Sequence, residues 1–208
     1  MGLAGARVDN IAERSGLAKR MIYYHFASKL DLYIAVLRRA YQRTRHGEEL
    51  VDLISAPPAE AMRKLIEHTF DNHAENEDFV RLVGVEDTQK AAQLSAMPDI
   101  SALNALIIDK LDGLLKRGQA DGVFRRDIEA LDLHLVMSSL SFFRVANRHT
   151  FGAVFQCDLD APKLRRRHRA LFADMIMNYL TAEDAPIDQG KDFRRRRVSS
   201  RHIDATSR

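Results

Sequence analysis

Apolar residues recur along this chain at spacings of three and four, the pattern of helices that each bury one stripe, and strand-like alternation is scarce. The predicted fold class is therefore all-α. In ARVDNIAERSGLAKRMIYYHF, residues 6–26, Val8, Ile11 and Ala12 share a face, Gly16 ends that helix, and Leu17, Met21, Ile22 and Phe26 supply the next apolar contacts. The pattern predicts two short helices joined by a tight turn, the second over 18–24, with Leu17, Ile22 and the aromatic rings packing inward. Ser28 is placed to cap a longer helix carrying Leu32, Tyr33, Val36, Leu37 and Ala40 to about Arg45. Pro57 and Pro58 then interrupt the chain.

Helices are predicted at 62–76 and 79–93, and from 99 or 101 onward after Pro98, the last closing in the glycine-containing stretch RGQADGVFRRD. Two more, at 128–150 and 162–182, differ in kind. The first is apolar on more than one side, with Leu131, Leu135, Phe142 and Val145 joined by Leu133, Val136, Met137, Leu140 and Phe143. A helix apolar most of the way round needs cover on most sides, which predicts a homodimer built on these two helices. The polar segment after Thr181 has little to bury and is expected to be disordered. The expected organisation is a smaller N-terminal unit at 1–45, a larger helical unit at 46–182 that includes the dimer helices, and a basic tail at 183–208.

Charge and composition narrow the function. The 208 residues hold 32 Lys and Arg against 29 Asp and Glu, a net +3 too mild to imply nucleic acid by itself, so the placement of the basic residues matters. A single cysteine, Cys157, excludes an internal disulfide and a cysteine-based zinc site. No run approaches the roughly 18 apolar residues of a membrane span, and MGLAGARVDN has no signal-peptide core, so a soluble cytoplasmic protein without a membrane partner is expected. No nucleophile, base and orienter occur at informative spacing and no phosphate-binding glycine loop is present; neither an enzyme nor a cofactor is expected.

Two short helices around a glycine-containing turn, the second rich in Lys, Arg, Tyr and His, form a helix-turn-helix signal. Arginine can bind guanine O6 and N7 together, and tyrosine or methionine can lie against a thymine methyl. Lys29, at the start of the next helix, joins its ammonium to free backbone N–H groups as a phosphate site. The stretch VDNIAERSGLAKRMIYYHFASKLDLYIAVL, residues 8–37, resembles the DNA-binding domain of the TetR family of transcriptional regulators in its I-A-x-x-x-G turn, its Y-x-H-F and its S-K-x-x-L. That resemblance implies an all-α homodimer that binds a palindromic double-stranded operator and is released by a small-molecule effector. It also places Lys19, Arg20, Met21 and Tyr23 where the family reads bases, and Tyr24, His25 and Lys29 where it holds phosphates. Arg7 is a further phosphate candidate.

One departure accompanies the match. The family carries a helix of about four turns before this point, where the chain has only MGLAGA. The helix-turn-helix unit is accordingly expected to be incomplete, with Val8, Ile11, Tyr24 and Leu32 left partly uncovered; an N-terminally truncated start is the simplest explanation. The alternative function is a dimeric small-molecule-binding protein that has lost operator binding for this reason. Residues 118–150 with MIMNYL are similar to the C-terminal domain of a TetR subgroup that regulates nitrogen-heterocycle catabolism.

Candidate effector contacts are His73, on the apolar side of its helix, and Arg144, Asn147 and His149, which follow Phe142 and Phe143. Apolar walls with few polar groups suit a small molecule, and the arginine suits an anionic or carbonyl-bearing one. A hydrogen-bonded core histidine or a dimer-interface arginine is the commoner use of such residues. His68, Asp71 and Glu75 share a face at metal-ligand spacing, but that face reads as solvated, and no metal is expected. The basic run at 163–169 is expected to flank the dimer helix, and the RRRR run at 194–197 to act as solubilising tail.

Overall fold

The computed structural model describes residues 2–49 and 53–182, so the tail at 183–208 and its arginine run lie outside the described residues. Among the described residues ten α-helices follow in order: α1 Gly2–Gly5, α2 Val8–Ser15, α3 Lys19–His25, α4 Lys29–Glu49, α5 Pro58–Glu75, α6 Glu77–Thr88, α7 Pro98–Ala120, α8 Ala130–Ala146, α9 Arg148–Phe155 and α10 Pro162–Thr181.

The local signals act as chemistry requires. Gly16 adopts φ 69°, ψ 13° at the end of α2, a left-handed conformation costly for other residues, and its N–H closes on Ala12 and Glu13 carbonyls. Ser28 caps α4 reciprocally: its Oγ accepts the Asp31 N–H at 3.1 Å and donates to the Asp31 carboxylate at 2.7 Å. Pro58 opens α5 at its first position, where a missing N–H costs nothing.

Val8, Ala12 and Ile22 form a small N-terminal core, supported by half-buried Ile11, Phe26 and Leu32. The expected uncovering is thus confined: Val8 is buried, Ile11 and Leu32 are half-buried, and Tyr24 is open to solvent. The single turn of α1 lies elsewhere, with Leu3 packed on a second cluster formed by Tyr33, Leu37, Met97 and Ile100. The third and largest cluster centres on α5, which packs against α7, α8 and α10 through residues such as Met62, Leu65, Leu111, Leu133 and Leu180. Gly118 is required there, because a Cβ at this position would meet the Phe124 ring at 2.0 Å.

α4 links the units. Beyond its apolar contacts, Arg38 pairs with Asp99 at 2.7 Å and Arg45 Nε donates to Asn104 at 3.0 Å. Tyr33 donates its hydroxyl to Glu86 at 2.8 Å, and that carboxylate, 1% exposed, also accepts the N–H groups of Gln93 and Leu94. These bonds turn the chain back after α6, with Lys90 and Ala91 at φ 58° and 55°. The helix predicted to reach 93 therefore stops at Thr88.

The helix predicted at 128–150 is likewise two helices. At Asn147 the backbone leaves the helical region, φ −104° and ψ 7°, between α8 and α9. Arg148 there pairs with both Glu77 at 2.5 Å and Asp160 at 3.2 Å, anchoring the new direction. No glycine or proline marks this break, so apolar periodicity runs through it.

Candidate nucleic-acid interface and effector cavities

In α3 only Ile22 is buried, at 6% exposure; Lys19, Arg20, Met21, Tyr23, Tyr24 and His25 are all exposed. Tyr24 is 80% exposed, which corrects the expectation that its ring packs inward. Inward and outward positions alternate in a strand, whereas in a helix residue 24 lies nearly opposite residue 22, and the inward pair is Ile22 with Phe26. Leu17 is also exposed rather than packed, because it sits in the turn and not on the helix face. The six exposed side chains instead make a continuous polar and aromatic surface.

Two of the candidate cations already have partners. Lys19 pairs with Asp9 of α2 at 2.7 Å, which raises the lysine pKa and lowers that of the carboxyl, both groups lying in solvent. Lys29 is half-buried and donates to the Ala6 carbonyl at 3.2 Å, leaving its other ammonium hydrogens for further acceptors. Arg7 is exposed in extended conformation just before α2. Tyr24 and His25 meet edge to face, ring centroids 5.2 Å apart.

The six candidate effector residues do not form one site. His73 and Phe142 line a cavity of about 270 Å³ whose walls come from α4, α5, α6, α7 and α8. Phe143 and Arg144 line another, of about 490 Å³, between α8, α9 and α10. Asn147 lines neither: its amide donates to the Phe143 carbonyl at 3.3 Å. His149 lies exposed beside Arg148 and also lines neither.

The smaller cavity carries several polar side chains among apolar Phe79, Val83 and Phe142. Its wall from α4 brings Tyr41, Thr44 and Arg45; opposite stand Asn104, His134 and Ser138. His73 Nδ1 lies 2.8 Å from the Thr69 carbonyl and therefore carries the proton, leaving Nε2 as an acceptor. Burial lowers the His73 pKa, and burial together with the Arg45 and His73 charges lowers that of His134 to about 4. Near neutral pH the cavity thus combines two neutral imidazoles with a guanidinium and several hydroxyl groups, a set suited to a small polar ligand. Sequence reasoning missed Arg45, Asn104 and His134, which lie on three different helices. His134 and Ser138, polar at an i, i+4 spacing within apolar α8, were the available signal.

The larger cavity has apolar walls, among them Leu140, Phe151, Leu164 and Phe172, with Arg144, His168 and the free Cys157 as its charged or titratable members. Beside it, Leu131, Leu135, Val136 and Phe143 of α8 and Leu171, Met175 and Tyr179 of α10 are exposed, two adjacent apolar stripes. Two arginines of the basic run on α10 pair with carboxylates of α5, while Lys163, Arg166 and Arg167 are exposed. Arg165 meets Asp71 at 3.3 Å and Glu75 at 3.0 Å, while Arg169 meets Asp71 at 2.8 Å and Glu67 at 2.9 Å. Asp71 and Glu75, weighed as metal ligands, are thus partners of arginine. Among the described residues, no helix is long and apolar enough to cross a membrane.

Comparison with known proteins agrees with this architecture. Residues 58–176 match the family described as tetracyclin repressor-like, C-terminal domain, and residues 1–36 match bacterial regulatory proteins, tetR family. The HTH-type transcriptional repressor NicS of Pseudomonas putida is 28% identical over 179 residues, covering 86% of this chain and 84% of that protein. The ketosteroid transcriptional regulator KstR2 of Mycobacterium tuberculosis has a similar fold, TM-score 0.66 at 19% identity over 87% of each chain. AibR in complex with isovaleryl coenzyme A and operator DNA is similar too, TM-score 0.62 at 16% identity over 86% of this chain and 89% of its own. With a helix-turn-helix match ahead of a match spanning more than half its length, the chain belongs to the TetR family of ligand-responsive, DNA-binding transcriptional regulators and is not an enzyme.

Proposed function

We propose that this regulator represses transcription as a cytoplasmic homodimer, gripping a palindromic operator with two copies of α3 and releasing it when a small polar effector enters the α4-walled cavity. Arg20, Met21 and Tyr23 read base edges in the major groove, joined by Lys19 once DNA competes with Asp9. Tyr24, His25, Lys29 and Arg7 hold phosphates on either side. The apolar stripes of α8 and α10 supply the dimer contact, since Leu131 and Leu135, like Leu171, Met175 and Tyr179, repeat at four-residue spacing and are exposed among the described residues. The DNA-binding unit then corresponds to residues 1–45 and the ligand and dimer unit to 46–182.

The observation that carries the release mechanism is the shared wall: α4 begins just after the recognition helix, and further along it Tyr41, Thr44 and Arg45 line the effector cavity, where Arg45 binds Asn104 of α7. A ligand that takes hydrogen bonds from Arg45 or Asn104 changes how α4 rests on α7. In a dimer that alters the separation of the two recognition helices, which successive major grooves require to be ~34 Å.

Selection from a pool of random-sequence duplexes by the full chain tests the reading. An enriched inverted repeat with half-site centres about one helical turn apart is expected. Recovery of no sequence preference would leave a dimeric small-molecule-binding protein as the better account.

A further inference from the structure

The larger cavity between α8, α9 and α10 holds a buried cation with unmet bonding capacity. Arg144 is 4% exposed, yet its Nε and Nη1 have no hydrogen-bond partner. Its Nη2 donates to the Leu159 carbonyl, and its guanidinium lies over the Phe70 ring at 5.1 Å. The nearest carboxylate, Asp160, is 3.9 Å from Nη1, beyond a hydrogen bond, half-exposed, and already engaged by Arg148 at 3.2 Å. A charged group removed from water without close counter-charge or full hydrogen bonding is costly, and proteins seldom retain one without use.

Its surroundings indicate what would satisfy it. Arg144 belongs to the wall of a cavity of about 490 Å³, within the range of small-molecule pockets, whose other walls include Leu140, Phe151, Leu164 and Phe172. His168 stacks flat on Phe172, interplanar angle 3°, and its Nδ1 is also buried without a partner. The cavity is thus apolar over most of its wall, with phenylalanine rings among its lining, and carries one cationic side chain, Arg144. We propose that this cavity is a second ligand site, distinct from the one under α4, and that it binds a small organic carboxylate: the carboxylate on Arg144, the apolar body between Leu164 and Phe172.

No residue of α4 lines this cavity, so the second ligand does not share the release route described above. Phe143, exposed on the proposed dimer face, does line it. Occupancy therefore acts first on α8 and the apolar stripe rather than on the recognition helix.

Because the chain contains no tryptophan, Phe172→Trp introduces a single fluorescent reporter into the cavity wall. The full-length reporter protein is titrated, without DNA, with 3-phenylpropanoate and with its uncharged analogue 3-phenylpropanol. Saturable quenching by the acid is expected, at least about tenfold tighter than by the alcohol, as a charge-assisted bond to a desolvated guanidinium requires. Adding Arg144→Met, which keeps volume but removes charge, is expected to bring the acid down to the affinity of the alcohol. Calorimetry on the native chain repeats the acid and alcohol comparison, which makes the result independent of whether either variant folds. Equal binding of acid and alcohol, unchanged acid affinity after Arg144→Met, or no saturable binding of the acid at millimolar concentration would each overturn the proposal. Failure here leaves the operator and the α4-walled cavity untouched, since neither enters the measurement.

Discussion

The helix-turn-helix unit and the α5-centred unit solve opposite problems with the same element. α3 buries Ile22 alone and presents the rest of its residues to solvent, held by a core of Val8, Ala12 and Ile22. α5 buries Met62, Leu65, Ile66 and Phe70 on one side while its acidic residues bind arginines of α10 on another. The contrast teaches that exposure, not burial, is the product of the first unit, so its stability must be borrowed. α4 is the lender: Leu37, 0% exposed, packs with Met97 and Ile100 of the second unit, while half-buried Leu32 of the same helix supports the first.

The strongest way to break that comparison is Leu37→Ala. Removing a fully buried leucine costs about 2–5 kcal/mol, and the loss is expected to appear in both units together when unfolding is followed by urea denaturation with hydrogen exchange. Loss of protection confined to residues 8–32 would mean that α4 does not couple them. Arg20→Ala makes the opposite case: unchanged thermal unfolding, but operator binding weakened by about 1–3 kcal/mol with relaxed preference at one position of the half-site.

Tyr33→Phe sharpens the role of the link. It removes the hydroxyl that donates to buried Glu86, leaving that carboxylate on two backbone N–H groups, and a loss of about 1–3 kcal/mol is expected in chemical denaturation. The smallest effect concerns pH. His134 is held neutral in the fold, its pKa lowered to about 4 from an ordinary 6.5. Between those values the unfolded chain binds a proton that the folded chain refuses. Its contribution to stability is therefore complete above pH 6.5 and is lost as pH falls toward 4. His134→Gln should flatten the pH dependence of unfolding in that window, and an unchanged profile would assign the dependence to other groups, His73 foremost.

The two units also differ in how far the sequence discloses them. The helix-turn-helix is legible because its signals are local: Gly16 as a left-handed cap, Ser28 with Asp31, and the run of basic and aromatic residues between them. Its one misplacement among the rings, Tyr24, comes from applying alternation where a helical period rules. The larger unit is legible as helices but not as sites. His73 and Phe142 stand out in the sequence, yet their cavity is completed by Tyr41, Arg45, Asn104 and His134, brought from distant segments by packing that no spacing encodes. Phe142 and Phe143 are neighbours in sequence and line different cavities, because adjacent residues on a helix point about 100° apart. The break at Asn147 is hidden for a related reason, as it depends on Arg148 reaching Glu77 and Asp160 rather than on a breaker residue.

Whether α3 is the surface that grips DNA is decided by fluorescence anisotropy of the selected inverted-repeat duplex with the wild type, Arg20→Ala and a control, Arg166→Ala, whose exposed arginine lies on α10 far from α3 in sequence. Binding by wild type and control alike, falling steeply between low and moderate salt, with Arg20→Ala weakened about tenfold, is the expected result. Equal affinity for all three proteins would contradict it, placing DNA on a surface other than the one α3 exposes.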